Sequence, residues 1–151
     1  MISVVSPVWN EDPRNLRLLS QRLRAVLDVL DPSWEVIFID DGSGEITRQA
    51  LQDIVASDHH MHVIWLKQRC GQETALVTGL LAAAGTLICM MDCDLEHRPE
   101  DIPQLLMPLR HGYDLVLGKR RPSAGFSRVR QAVSQVYTTM MNVRWLSLIH
   151  I

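Results

Sequence analysis

The sequence predicts an α/β protein, a three-layer sandwich with a mainly parallel sheet between helices. Three observations carry this. Five short runs, residues 2–6, 34–39, 62–66, 86–91 and 113–117, are mainly apolar and rich in Val, Ile and Leu, as strands buried on both faces are. Between them, apolar residues recur at helical spacing. The polar and charged residues collect just after the strands, where open parallel sheets take their ligands.

The first run, residues 2–6, stops at Pro7, and a loop bracketed by Pro7 and Pro13 follows. Leu16, Leu19, Leu23, Val26, Leu27 and Leu30 then mark one face of a helix, with arginines mostly opposite, and Asp31-Pro32 ends it. The second strand, 34–39, runs into Asp40-Asp41-Gly42-Ser43. A helix over about 45–56 turns Ile46, Ala50, Leu51, Ile54 and Val55 inward. The third strand covers 62–66, and a helix over 71–84, rich in small residues, can approach a sheet closely. The fourth strand covers 86–91, a helix 101–109, and a fifth strand 113–117, before the basic run Lys119-Arg120-Arg121. Hydropathy alone would make residues 75–91 a membrane span. Gly79 and Gly85 interrupt them, the stretch is short of the ~20 residues that a span needs, and it runs directly into Asp92.

Composition bounds the function. A chain of 151 residues with 21% charged residues and a formal charge of −2 is one ordinary globular domain, and offers no overall charge for nucleic acid. Cys70, Cys89 and Cys93 have neither the number nor the spacing of a zinc or disulfide framework and read as reduced thiols. The N-terminus has no secretory signal.

The strongest chemical signal is Asp92-Cys93-Asp94-Leu95-Glu96. Along an extended chain alternate side chains point the same way, so Asp92, Asp94 and Glu96 would crowd negative oxygens together. Such crowding calls for a cation, and hard divalent ions such as Mg2+ or Mn2+ prefer carboxylate oxygen. The competing reading is a solvated acidic loop. Asp40-Asp41 reads either as a turn that caps the next helix or as carboxylates for a base or ribose. Gly42-Ser43-Gly44-Glu45-Ile46-Thr47 nearly spells a dinucleotide fingerprint, but it follows the second strand, lacks the third glycine and has two acidic neighbours. Lys119–Arg121 is either a solvated face or a phosphate contact. His59, His60 and His62 read as a surface loop more readily than as a metal site. Phe126, Val129, Val133, Val136, Tyr137, Met140 and Met141 form a stripe with Arg128 and Arg130 beside it: a core helix, or an amphipathic helix on an anionic membrane surface.

In this order, the residues Ser3–Glu11 (SVVSPVWNE), Phe38–Ser43 (FIDDGS), Arg69–Ala75 (RCGQETA), Met91–Pro99 (MDCDLEHRP) and Val116–Arg121 (VLGKRR) resemble the family 2 inverting glycosyltransferases of GT-A fold, over about residues 2–142. The spacing is most similar to the polyprenyl-phosphate sugar synthase branch. The resemblance implies that Pro7, Trp9, Glu11 and Asp41 surround the base and ribose of a UDP- or GDP-linked sugar. It implies that Asp92 contacts ribose or sugar, that Asp94 with Glu96 holds Mg2+ or Mn2+ on the diphosphate (the DxD motif), and that Arg120 approaches the donor phosphates. Trp9 stands where the family often has tyrosine, and Glu96 where this branch often has glutamine. The implied organisation is a nucleotide-sugar-binding domain over 1–125 and, over 126–151, an amphipathic helix and the truncated start of an acceptor-side region. The implied acceptor is a polyprenyl phosphate, and the implied location is the cytoplasmic face of a membrane, in envelope synthesis. If the acceptor were a sugar hydroxyl, a carboxylate base would be required; none is evident in the sequence. Two other readings compete. One is a Mg2+-binding receiver-type signalling domain, whose acidic pair should follow the first strand, where Asn10 and Glu11 stand. The other is a nucleotide-sugar-binding remnant without catalysis.

Overall fold

The computed structural model describes residues 1–118; Lys119, Arg120, Arg121 and the 126–142 stripe lie outside the described residues. The elements are β1 (Ile2–Val8), α1 (Pro13–Leu30), β2 (Trp34–Asp40), α2 (Glu45–Ser57), β3 (Met61–Trp65), α3 (Gln72–Ala82), β4 (Leu87–Met90), a 3-10 turn (Pro99–Asp101) and α4 (Ile102–Arg110). Among the described residues they build a four-stranded parallel sheet of order β3-β2-β1-β4.

β1 and β2 are buried at every position. Their alternate residues feed two cores. Ile2, Val4 and Val8 of β1 and Trp34, Val36 and Phe38 of β2 pack with Leu16, Leu19, Leu23 and Leu27 of α1, with Ala50, Leu51 and Ile54 of α2, and with Ile102 and Leu106 of α4. Val5, Ile37 and Ile39 point the other way and pack with Ala75 of α3. Helices therefore cover both faces, as expected. Gly79 sets how closely α3 lies on the sheet: an added Cβ would sit 2.5 Å from Ile39 Cδ1 and closer still to Val5 Cγ1. On this face Ser3 and Glu35 are buried polar residues. Glu35 Oε1 accepts from Ser3 Oγ at 2.6 Å and from the Ala84 N–H at 2.8 Å, and Ser3 Oγ accepts from the Gly85 N–H at 2.8 Å. These bonds pin the entry to β4 against the sheet, satisfying groups that would be costly to bury alone.

Helix starts follow local chemistry. Asp12 caps α1 by accepting the Arg14 N–H at 2.8 Å, and Pro13 occupies its first turn. The 3-10 turn before α4 is tied to α1 by a bidentate pair: Arg22 Nε and Nη2 donate to Glu100 Oε1 and Oε2 at 2.8 and 2.5 Å.

Three expectations are corrected. Ile46, expected on the inward face of α2, is 76% exposed. Residues 113–117 form no strand, and Tyr113, Leu115 and Leu117 are exposed. An apolar run becomes a strand only where a ladder partner is available, and β4 pairs with β1 alone among the described residues. β4 is also shorter than residues 86–91 and is not buried on both faces. Leu87 and Cys89 pack into the larger core, whereas Ile88 and Met90 are 39% and 51% exposed, because α3 packs over β1 and β2.

The Arg22 guanidinium holds the Glu100 carboxyl down at about 2. A carboxyl depressed in the folded state adds stability above its ordinary range, and that stability is lost as pH falls toward the depressed value. The pair is partly exposed, so its contribution is up to about 1 kcal/mol. Denaturant unfolding of Arg22→Ala is expected to show that deficit at pH 7. The gap from wild type should narrow as pH falls from about 4.5 and close near pH 2.

Candidate donor-binding cleft

The parallel register ends β1 and β2 at one level and β4 three residues lower, with all three carboxyl ends on the same edge of the sheet. Val8 pairs with Asp40 and Val5 with Met90. The loops that leave these ends enclose a cleft of about 290 Å³, lined by Pro7, Val8, Trp9, Glu11, Asp41, Arg69, Gln72, Asp92, Cys93 and Asp94. Six residues singled out in the sequence, Pro7, Trp9, Glu11, Asp41, Asp92 and Asp94, are thus brought together. Glu96 is exposed and not part of the lining, and Arg120 lies outside the described residues.

Each wall has a local cause. Asn10 adopts the left-handed conformation (φ 52°), accepts the Gly44 N–H at 2.7 Å on Oδ1 and donates its own N–H to Ser43 Oγ at 2.9 Å. Thr47 Oγ1 donates to the Glu11 carbonyl at 2.9 Å. The loops after β1 and β2 are thereby joined. Glu11 Oε1 accepts from Asn15 Nδ2 at 2.7 Å.

The adjacent aspartates separate by strand alternation. Asp40 turns toward α2; it is fully buried, accepts the Ser43 N–H at 3.1 Å and faces Arg48 Nε at 3.1 Å. It closes the turn after β2, as one reading of the sequence had it, but it does not cap α2, whose N-cap is Gly44 without a side-chain bond. Asp41 turns toward α3, and its two oxygens accept the N–H groups of Cys70 and Gly71 at 2.5 and 2.9 Å. This carboxylate fastens the segment that starts α3, and it remains on the cleft wall. Gly42 makes the crossing possible. Its φ is +75°, and an added Cβ would stand 2.9 Å from the Arg69 backbone nitrogen.

On the third wall the chain leaves β4 at Met90 and bends. Leu95 takes a positive φ of 65°, so the alternation expected across 92–96 ends there. The Glu96 N–H folds back onto Asp94 Oδ1 at 2.9 Å. Asp92 Oδ1 accepts from Gln72 Nε2 at 3.0 Å, and the Asp92 N–H donates to His97 Nδ1 at 3.2 Å. Cys93 is buried between them and donates its S–H to the Pro7 carbonyl. Burial, then the nearby charge of Glu11, pushes its thiol up to about 12, which makes it an inert packing group.

Electrostatics follow from the lining: four carboxylates and one guanidinium. Arg69 lies with its guanidinium 3.5 Å from the centroid of the Trp9 ring, a close cation–π contact. The carboxylates of Asp92 and Asp94 suit a hard divalent ion: they offer oxygen only. Asp94 is exposed, and its Oδ2 carries no hydrogen bond or ion pair among the described residues. Sequence reasoning missed Arg69 as an arm of the cleft and Gln72 as the partner of Asp92. Both lie beside Gly71, in a motif that was noted without roles for those two residues; only the fold shows what they touch.

A parallel α/β sheet that collects acidic side chains at its carboxyl ends has the cleft where open sheets of this kind place their ligands. The chain belongs to the glycosyl transferase family 2, whose model matches residues 3–150. Relatives include the undecaprenyl-phosphate 4-deoxy-4-formamido-L-arabinose transferases of Photorhabdus laumondii, 35% identical over 141 residues (93% of this chain, 43% of the relative), and Aeromonas hydrophila, 38% identical over 122 residues (80% and 37%). The chain therefore spans less than half the length of these curated relatives. Similar solved structures include the glucosyl-3-phosphoglycerate synthase of Mycobacterium tuberculosis with Mn2+, UDP and glucosyl-3-phosphoglycerate (TM-score 0.57, 25% identity, covering 72% of this chain and 39% of that one). TarS of S. aureus with UDP matches in fold at a TM-score of 0.59 and 19% identity, over 84% and 39%. The GT-A expectation is borne out by this likeness.

Asp41→Ala would leave two N–H groups without their acceptor and is expected to cost about 1–3 kcal/mol in urea unfolding. Amide exchange at Cys70 and Gly71 should rise with it. Unchanged exchange there would show that the segment is held by other contacts.

Proposed function

We propose that the chain forms the donor-binding part of a metal-dependent transferase that moves a sugar from a UDP- or GDP-linked donor to a polyprenyl phosphate. The observation that carries this is the cleft, where Asp92 and Asp94 face Trp9, Glu11 and Asp41 across the carboxyl ends of β4, β1 and β2. A similar structure in complex with Mn2+ and UDP, and relatives named for an undecaprenyl phosphate, support the reading. The residues set aside for base and ribose are Pro7, Trp9, Glu11 and Asp41, with Asp92 at ribose or sugar. Asp94, with Glu96, would hold the divalent ion, and Arg120 would meet the donor phosphates. A bound Mg2+ or Mn2+ supplies charge stabilisation for a departing diphosphate.

The chain's own groups do the rest. Trp9 offers an indole face to a base, and Arg69, now resting on Trp9, is the one cation of the described lining within reach of a phosphate. Gln72 and His97 hold Asp92 in place. A lipid phosphate monoester is largely ionised near neutral pH, its second pKa being about 6, so its oxygen attacks without a strong general base. None of the lining carboxylates has to take that part. Residues 1–125 would make the donor domain and 126–151 the approach to the acceptor, with the 126–142 stripe laid on the cytoplasmic membrane surface. Among the described residues no helix is long and apolar enough to cross a membrane.

Calorimetry with UDP- and GDP-sugars, with and without Mn2+, tests this. One nucleotide class is expected to bind, more tightly with Mn2+. Asp94→Ala should weaken binding at least about tenfold, or ~1.4 kcal/mol. Absence of nucleotide binding, or an Asp94→Ala titration that matches wild type, would overturn the proposal.

A further inference from the structure

The turn between α2 and β3 gathers Asp58, His59 and His60. One carboxylate oxygen and one ring nitrogen from each histidine all lie within 4.8 Å of one another. The group is not a loose surface cluster. Asp58 ends α2, is 8% exposed, and accepts the His60 N–H on Oδ1 at 3.0 Å. The same oxygen lies 3.1 Å from His60 Nδ1. Asp58 Oδ2 is buried and has no hydrogen-bond partner among the described residues. The histidine rings are also held: His60 stacks on Trp34 at 4.2 Å between centroids, and His59 lies against His60 at 3.9 Å.

We propose that this turn is a second metal site, distinct from the cleft, which takes a Zn2+-class ion through Asp58, His59 and His60. Two imidazoles and one carboxylate are a borderline N/O set, which favours Zn2+, Ni2+ or Cu2+ over Mg2+ or Ca2+. His60 Nδ1 and Asp58 Oδ1, 3.1 Å apart, stand close enough to share one ion, with the Nδ1 proton given up on binding. Asp58 supplies the anionic ligand through Oδ1, His59 offers a ring nitrogen, and water completes the sphere.

One group competes. Arg24 Nη1 lies 3.4 Å from Asp58 Oδ2, but Arg24 is more than half exposed and also pairs with Asp28 at 3.5 Å, so it has another partner to turn to. The site sits where strands begin: His60 stacks on Trp34, the first residue of β2, whereas Asp40 at the other end of β2 borders the cleft turn. Those seven residues span about 20 Å. An ion there ties the end of α2 to the starts of β2 and β3, and touches no donor-binding residue.

The test is a Zn2+ titration of the tag-free protein by calorimetry, with Co2+ absorption and thermal unfolding beside it. One Zn2+ per chain is expected, with a dissociation constant near or below about 10 µM and a raised unfolding midpoint. His59→Ala, a change at an exposed residue that the fold should tolerate, is expected to weaken binding at least tenfold, and His60→Gln likewise. Arg24→Ala should tighten it, because the competing cation is gone. Asp94→Ala and His62→Ala should leave it unchanged. No Zn2+ binding, undiminished binding by His59→Ala, or binding lost in Asp94→Ala would overturn the proposal. The last outcome would place the ion in the cleft instead. Since the cleft residues are untouched, failure here and failure of the donor-site reading are separate results.

Discussion

β1 is held in parallel register by β2 on one side and β4 on the other, and all seven of its residues are buried. That double pairing fixes the levels at which three strands end. Were β4 to slip by one residue against β1, Leu87 and Cys89 would exchange faces with Ile88 and Met90. Asp92 would then turn away from Gln72. The Ser3–Glu35 network beneath the α3–β4 connection resists such a slip, because it bonds the backbone of Ala84 and Gly85 just before β4 begins. A polar contact at the beginning of the strand thus helps to set the acidic wall at its end.

The same alternation explains how two adjacent aspartates serve different purposes. Asp40 belongs to the face covered by α2 and is consumed by the turn and Arg48. Asp41 belongs to the face covered by α3 and fastens the segment carrying Arg69 and Gln72. The loop after β3 is therefore bound to the end of β2. Two residues that complete the cleft, one cationic and one amide, arrive through that bond. Inside a space with four carboxylates, Arg69 is the only cation among the described lining residues, and it rests on the ring of Trp9.

Much of this was legible in the sequence, for physical reasons that also mark the limits. Residues 2–6 and 34–39 read as doubly buried strands because they are, and the leucine spacing of α1 gave its inward face directly. The alternate carboxylates after an apolar run located Asp92 and Asp94, and the family resemblance gave them roles. The run at 113–117 has strand composition, but whether a ladder partner stands beside it is a tertiary fact, and the chain there is exposed. Glu96 looked equivalent to Asp94 by alternation. The positive φ at Leu95 breaks that pattern, and nothing in a leucine announces it. Gln72 and His97 earn their parts only by lying next to Asp92 in space. The histidine turn read most simply as a surface loop, because burial of Asp58 and stacking on Trp34 cannot be seen from Asp-His-His alone.

The central claim is that one cleft, at the ends of β1, β2 and β4, receives nucleotide and metal together. A crystal structure of the protein with a nucleoside diphosphate and Mn2+ tests it most directly. The account predicts the base beside Trp9, the ion on Asp94, and the diphosphate between that ion and Arg69. Nucleotide or Mn2+ bound elsewhere, with Asp92 and Asp94 left facing solvent, would contradict it.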